Sequence, residues 1–316
     1  MELITNQSVI EFLVAEQGDS DLSISSYWKE ELKNFSVNPM GETSGRISAG
    51  NVSMKTGAAN RFAHWLLQTP WRRMGRRFST FKTSYEIGKL VASNQRRQFT
   101  NDMIRQSLTL ALVRDLIDVN LTNGEVCVIG DGYGVLGSLL SHAFPQKKII
   151  FVNLKTPLTL DVMYYLRGVP GASLGLAEDE DSLSKALLDP NISAIAIRAD
   201  NSDLLSLIPI SLAFNVVSMQ EMPPTAVDQY FDYLRSNPAP ITNFYCCNRI
   251  HKELYAGEVL RFFDYPWASD DKIFIDEICE WDRLTYGPSP PFWHLKPEST
   301  LCQHRLVQLA KKIRTF

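Results

Sequence analysis

Apolar and polar positions alternate differently in the two parts of this chain, and the pattern changes near residue 120. Up to about residue 60 the two kinds are mixed, with glycine and serine scattered through 41–46, which predicts long loops and short helices. Between 85 and 117, Phe99, Met103, Ile104, Leu108, Leu112 and Leu116 recur every three to four residues and predict one apolar helical face. Asn123-Gly124 then turns the chain into short apolar runs at 126–129, 149–154, 192–198, 210–217 and 241–247. Runs that are apolar on both faces read as strands of a covered, parallel sheet. Helical stretches at 135–144, at 156–166 and from 223 onward lie between them and complete a strand–helix alternation with helices on both faces. Thr156-Pro157 is expected to supply a cap and a first-turn proline for the second of these helices. Ala226, Val227, Tyr230, Phe231 and Leu234 give the third its buried face. Past residue 257, a strand-like run at 272–278 and the proline-rich turn Gly287-Pro288-Ser289-Pro290-Pro291 fit antiparallel closing strands. The expected division is a mainly helical extension over 1–118 and an α/β domain over 119–316.

The junction between the first strand and its helix is the most specific feature. Val126-Cys127-Val128-Ile129 runs directly into Gly130-Asp131-Gly132-Tyr133-Gly134. Side chains at Gly130, Gly132 and Gly134 would hold a ligand away from the backbone, and a turn this tight calls for positive φ. The helix starting at Val135 would then present its positive end to the same crevice, where an anionic group such as a carboxylate is expected to sit. The dinucleotide spacing G-x-G-x-x-G fails from Gly130, because position 135 is valine. It also reads from Gly132 through Gly137, but that register begins two residues beyond the strand. The G-x-G-x-G spacing of S-adenosylmethionine sites fits directly, with a plain glycine turn as the bland alternative.

Composition narrows the classes. A 316-residue chain can bury a full core. Its formal charge of -3 provides no global field for nucleic acid, so a nucleic-acid partner is not the first expectation and would need a strong local patch. No apolar run approaches the roughly 20 residues of a membrane span, and the first residues lack a secretory pattern, so the cytoplasm is the expected compartment. Five cysteines, including adjacent Cys246 and Cys247, form neither a disulfide framework nor paired zinc spacing, and no metal is expected. The acidic run 178–181 lacks ligand spacing and reads as the start of a solvated helix.

In open α/β sheets a ligand lies beyond the carboxyl ends of the strands. After the successive strands stand the glycine loop, Asn153, Asp200-Asn201, Ser218-Met219-Gln220-Glu221-Met222 and Asn248-Arg249. This order resembles the class I S-adenosylmethionine-dependent methyltransferases, which implies a Rossmann-like sheet. The stretches 213–222 and 244–249, with Lys252, Asp264-Tyr265-Pro266-Trp267, Gln95-Arg96-Arg97 and 102–106, are similar to a family of sugar O-methyltransferases. The similarity runs from about Gln95 to Trp267.

The resemblance implies methyl transfer from S-adenosylmethionine to a hydroxyl of a sugar or glycosylated small molecule. Gly130, Asp131, Gly132, Gly134, Asn153, Asp200 and Asn201 are the expected cofactor residues. Asn153 stands where such proteins carry an acid for the ribose hydroxyls, so one contact loses its charge. Glu221 and His251 are the candidate bases, because they follow the fourth and fifth strands; His251 has the better-matched intrinsic pKa. Glu221 has three other readings: holding a sugar hydroxyl, organising its loop, or capping the next helix. Gln220, Asn248, Arg249 and Lys252 are the expected substrate contacts, against a surface ion-pair cluster with Glu253 and Glu258. Tyr265 and Trp267 either face a sugar ring or simply pack. The basic patch 71–77, with Lys82, is either a solvated, paired face or a site for acidic partners. A second class remains open: a non-catalytic adenosine-ligand or nucleic-acid-binding module on the same fold. A nicotinamide oxidoreductase ranks third, and self-association is left open.

Overall fold

The computed structural model describes residues 6–15, 24–38, 43–44, 57–119 and 122–312. Its centre is an eight-stranded sheet of β1 (Glu125–Ile129), β2 (Ile149–Asn153), β3 (Leu174–Ala177), β4 (Ala194–Arg198), β5 (Ile210–Val216), β6 (Asn243–Arg249), β7 (Lys272–Ile278) and β8 (Cys302–Gln308). The spatial order is 7-8-6-5-1-2-4-3. Neighbours pair in parallel from β3 through β6, whereas β8 lies antiparallel to both β6 and β7. The strand order reverses beside β1, which makes the carboxyl end of that strand the topological switch point.

Alternation along β1 and β2 divides the core. Val126, Val128, Ile149 and Phe151 face one layer, while Cys127, Ile129, Ile150 and Val152 face the other. The first layer contains α5 (Phe81–Asn94), α6 (Asn101–Leu116), α7 (Val135–Ala143) and α8 (Lys155–Gly168); α1 (Asn6–Ala15) packs on α8. The second contains α9 (Glu180–Leu188) and α10 (Pro224–Ser236). Three further N-terminal helices are α2 (Ser26–Glu31), α3 (Ala58–Leu67) and α4 (Thr69–Gly75).

Several expectations shift. The single helical pattern over 85–117 is two helices, broken between Asn94 and Asn101, with Arg96 in the left-handed region at φ 54°. The helix expected to be capped by Thr156 begins at Lys155 after Leu154, with no side-chain cap, while Pro157 lies in its first turn as expected. Strand β3 was not expected. It is a four-residue edge strand with glycine inside it, too short to show a pattern. The fifth predicted strand runs two residues further than expected, so Asn248 and Arg249 belong to β6 rather than to the loop after it. The acidic run starts α9 as expected, with Asp179 and Ser182 forming a reciprocal capping box. The glycine- and serine-bearing stretch 41–46 lies outside the described residues except for positions 43 and 44. Among the described residues, no helix is long and apolar enough to cross a membrane.

Candidate functional site

Two chambers lie along the carboxyl ends of the parallel strands. The larger, about 350 Å³, has Gly130, Asp131, Gly132, Asn153 and Ser218 on its sheet side and Asn101, Asp102 and Gln106 of α6 opposite. The smaller, about 80 Å³, is lined by Ala199, Ser202, Met222, Pro223, Ala226 and Tyr230, with Ile24 and Ser25. Trp28, Asn153, Ser218 and Glu221 line both. The chambers are therefore two ends of one cleft. Helix α2 covers it, because Ser25 Oγ donates to the Glu221 carbonyl at 2.5 Å and Ser26 Oγ to Glu258 at 2.7 Å.

Four of the five loop residues are left-handed, with φ of 71° at Gly130, 65° at Gly132, 66° at Tyr133 and 55° at Gly134; Asp131 is the exception. A Cβ on Gly130 would lie 1.9 Å from Ser218 Oγ, and one on Gly134 would lie 2.2 Å from the Asp161 carbonyl. At these two positions glycine is required by the protein's own packing as well as by φ, rather than by room for a ligand.

The positive end of α7 is already occupied. Asp131 accepts from the Leu136 amide at 2.8 Å and from the Gly137 amide at 2.6 Å. The expectation that an external anion would sit there is thereby corrected: a resident carboxylate fills the site. Burial pushes the Asp131 carboxyl up to about 7, opposed by the two amide bonds. Asn153 has a related explanation. Its Nδ2 donates at 2.8 Å to Asp161, a buried carboxyl on α8, and its Oδ1 accepts from Leu154 N–H. Asp161 also takes a long bond, 3.4 Å, from the Gly134 amide. An acid at 153 would place two carboxyls against each other, and burial together with Asp131 already pushes Asp161 upward.

The α6 side supplies acceptors. Asn101 Oδ1 and Gln106 Oε1 are buried without a hydrogen-bond partner among the described residues, and both residues line the larger chamber. Asp102 stands beside them, its carboxyl raised by burial against the pull of Arg97 and Arg105. Arg105 itself is spent on the carbonyls of Trp281, Asp282 and Leu284. This side of the cleft thus offers carboxyls and unpaired amide oxygens, an acceptor set suited to an ammonium group, while Lys296 of the same lining is paired with Asp282.

The predicted residues separate into three groups. Gly130, Asp131, Gly132, Asn153 and Glu221 line the cleft, with Gly134 immediately behind it. Lys252 reaches Glu221 Oε1 at 2.7 Å while lying 4.1 Å over the Tyr27 ring. Burial raises the Glu221 carboxyl, and Lys252 opposes that shift. A second group braces the strand ends. Asn248 accepts from Gln220 N–H and donates to Asn215, while Gln220 Oε1 accepts from Arg249 N–H. The amides of Gln220 and Asn248 are therefore occupied internally and do not line the cleft; Arg249 enters it only electrostatically, beside Glu221. The third group points elsewhere. Asp200 pairs with Arg198 at 3.4 Å and Asn201 Nδ2 donates to the Glu178 carbonyl, so Ala199 and Ser202 take their place in the wall. His251 is exposed in a short ribbon (His251–Glu253 with Val259–Arg261) and lines neither chamber. Tyr265 and Trp267 pack with Phe231, Phe244 and Phe262 in the α10 layer.

The basic patch is used in part within the chain, while Arg73, Arg76 and Lys82 are exposed. Trp71 is buried with its indole N–H on the Trp281 carbonyl, Arg72 bonds Trp65 and Thr69, and Arg77 pairs with Glu280. Asp102, Asn101 and Gln106 are the site residues to which sequence reasoning gave no role. All three lie in the first two turns of α6, a position the i, i+1, i+5 spacing does not advertise. Val217 is another: a β-branched residue at φ 59° in the cleft wall, where strain is expected only if its surroundings enforce it.

No known protein family matches the chain by sequence, and no curated protein is significantly similar to it. Solved structures align with it at low identity and low TM-score. A SAM-dependent methyltransferase from Anabaena variabilis is 13% identical, aligning over 63% of this chain and 84% of its own, with a TM-score of 0.38. An O-methyltransferase family protein from Burkholderia thailandensis is 9% identical over 89% and 81%, with a TM-score of 0.36. The glycopeptide N-methyltransferase MtfA, complexed with S-adenosyl-L-homocysteine, is 13% identical over 60% and 68%, with a TM-score of 0.27.

Proposed function

We propose that this chain is an S-adenosylmethionine-dependent methyltransferase acting on a hydroxyl of a sugar or glycosylated small molecule. The observation that carries this reading is the two-chambered cleft whose ends join at Asn153, Ser218 and Glu221. The donor has a nucleoside at one end and, beside its cationic sulfonium, an amino-acid portion that bears both an ammonium and a carboxylate, and the larger chamber is lined by acceptors together with Arg105 and Lys296. Ala199, Ser202, Met222 and Tyr230 would enclose the base, and Asn153 would meet the ribose. Asn101, Gln106, Asp102 and the backbone at Gly130 and Gly132 would hold the ammonium-bearing end, which explains two buried acceptors left without partners.

When bound, the donor supplies an electrophilic methyl on a sulfonium that leaves as a neutral thioether. The chain's part is to position an acceptor oxygen and remove its proton. Glu221, at the junction of the chambers, is the base; Lys252 fixes its carboxylate and balances its charge. Helix α2 serves as the roof that keeps water out, with residues 1–118 acting as the lid-bearing extension. His251, exposed outside both chambers, has no part in this step.

The experiment is incubation of the protein with methyl-labelled S-adenosylmethionine and a panel of sugars and glycosides. Label transferred to a hydroxyl supports the proposal. Transfer only to nitrogen or carbon acceptors would keep the enzyme class and remove the sugar assignment.

A further inference from the structure

A second pocket, of about 670 Å³, lies outside the cleft between α3, α5 and the segment that joins α5 to α6. Arg61, Lys89, Arg96 and Arg97 line it together with Trp65 and Tyr85, and no carboxylate does so among the described residues. Lys89 is shared with Glu86 at 2.9 Å, and Arg61, Arg96 and Arg97 leave the wall net positive, which concentrates counter-ions.

The floor is more specific than the rim. Arg97 and Gln98 are each 3% exposed. Arg97 Nε and Nη2, and Gln98 Oε1, have no hydrogen-bond partner among the described residues. Asp102 and Asp131 lie within electrostatic reach of this guanidinium but do not hydrogen-bond these atoms; leaving buried N–H groups unpaired is costly, so they call for an acceptor from outside. The orientation is fixed. Nη1 donates to Gln95 Oε1 at 3.1 Å, and the guanidinium carbon lies 5.7 Å and 5.4 Å from the ring centroids of Tyr133 and Tyr164. What remains free is the Nε–Nη2 edge, the side-on pair that grips two oxygens of a phosphate or carboxylate.

We propose that this pocket is a binding site for a phosphate monoester carried on a ring. Arg97 takes two phosphate oxygens through Nε and Nη2, Arg61 and Arg96 supply the surrounding positive field, with Lys89 shared with Glu86, and Trp65 and Tyr85 flank the ring. Gln98 Oε1 accepts from a ligand hydroxyl. Binding here does not require that the cleft transfer a methyl group.

The test is calorimetric titration of the full chain with phenyl phosphate, inorganic phosphate and phenol. Phenyl phosphate is expected to bind with one site per chain, about tenfold tighter than inorganic phosphate, and phenol not at all. Arg97→Lys keeps the charge but loses the side-on pair, and is expected to weaken phenyl phosphate about tenfold or more. If that buried change prevents folding, Arg61→Gln on the exposed rim serves instead and should weaken binding severalfold. Trp65→Leu should reduce the preference for phenyl phosphate over inorganic phosphate. The proposal is overturned if phenyl phosphate gives no heat, if phenol binds equally, or if binding is undiminished in both arginine variants. A parallel melt with S-adenosylhomocysteine separates this site from the cleft: phenyl phosphate binding without a nucleoside response leaves the pocket standing and removes the methyl donor.

Discussion

At the residue scale the decisive position is Glu221. Its side chain is 13% exposed, bonded to Lys252, and it lines both chambers. Burial raises its carboxyl above the ordinary glutamate value. A base must be deprotonated to act, so the rate should rise with pH through that elevated pKa and level off above it. Glu221→Gln should lower kcat by about 10²–10⁴-fold and remove this rise, with donor affinity retained. A pH profile of kcat for both forms checks it; an unchanged rate in the variant would assign proton removal elsewhere, with Asp102 the next group in the chamber. The sequence placed Glu221 at the mouth of the sheet because it follows an apolar strand. His251 occupied the equivalent place after the next strand, but that strand runs on to Arg249 and the chain then turns into an exposed ribbon.

At the scale of elements, the strand–loop–helix unit around β1 carries its own acids. Asp131 caps α7 and Asp161 on α8 supports the loop from behind, and both carboxyls are raised by burial. For Asp131 the folded value of about 7 exceeds the unfolded one. Its contribution to stability is therefore complete below the unfolded pKa and is lost as pH rises through about 7. Melting of the ligand-free protein should show this loss between mildly acidic and neutral pH, and Asp131→Asn should flatten that slope while weakening the cap by about 1 kcal/mol. A slope identical in both forms would contradict the assignment. Asn153→Asp adds a third carboxyl to the pair. It should match the parent in mild acid and fall behind as pH rises, by about 2 kcal/mol near neutrality. Equal melting at pH 8 would show that Asp161 does not dictate the amide. None of this was legible beforehand. Asp131 reads as a cofactor residue of the loop rather than as the cap of α7, and Asp161 lies mid-helix, eight positions from the strand end it governs. The strands themselves were legible, because residues buried on both faces leave continuous apolar runs. The break between α5 and α6 was not, since the apolar spacing continues through a segment that is no longer helical.

At the scale of the whole molecule, the parallel sheet with one reversed strand sets the cleft at the switch point, and the N-terminal helices complete it. Helix α6 supplies its acceptors and α2 its roof. The arrangement of the sheet could be argued from the sequence. The far wall could not, because Asn101, Asp102 and Gln106 meet the glycine loop only through packing between segments some thirty residues apart. The central claim is that this cleft receives an adenosyl donor, and thermal melting with S-adenosylhomocysteine tests it most directly. At about a hundredfold excess over Kd the complex should gain about 2.7 kcal/mol, and the melting temperature should rise by about 4 °C. A well-folded protein whose melting temperature does not move at millimolar nucleoside would contradict the account.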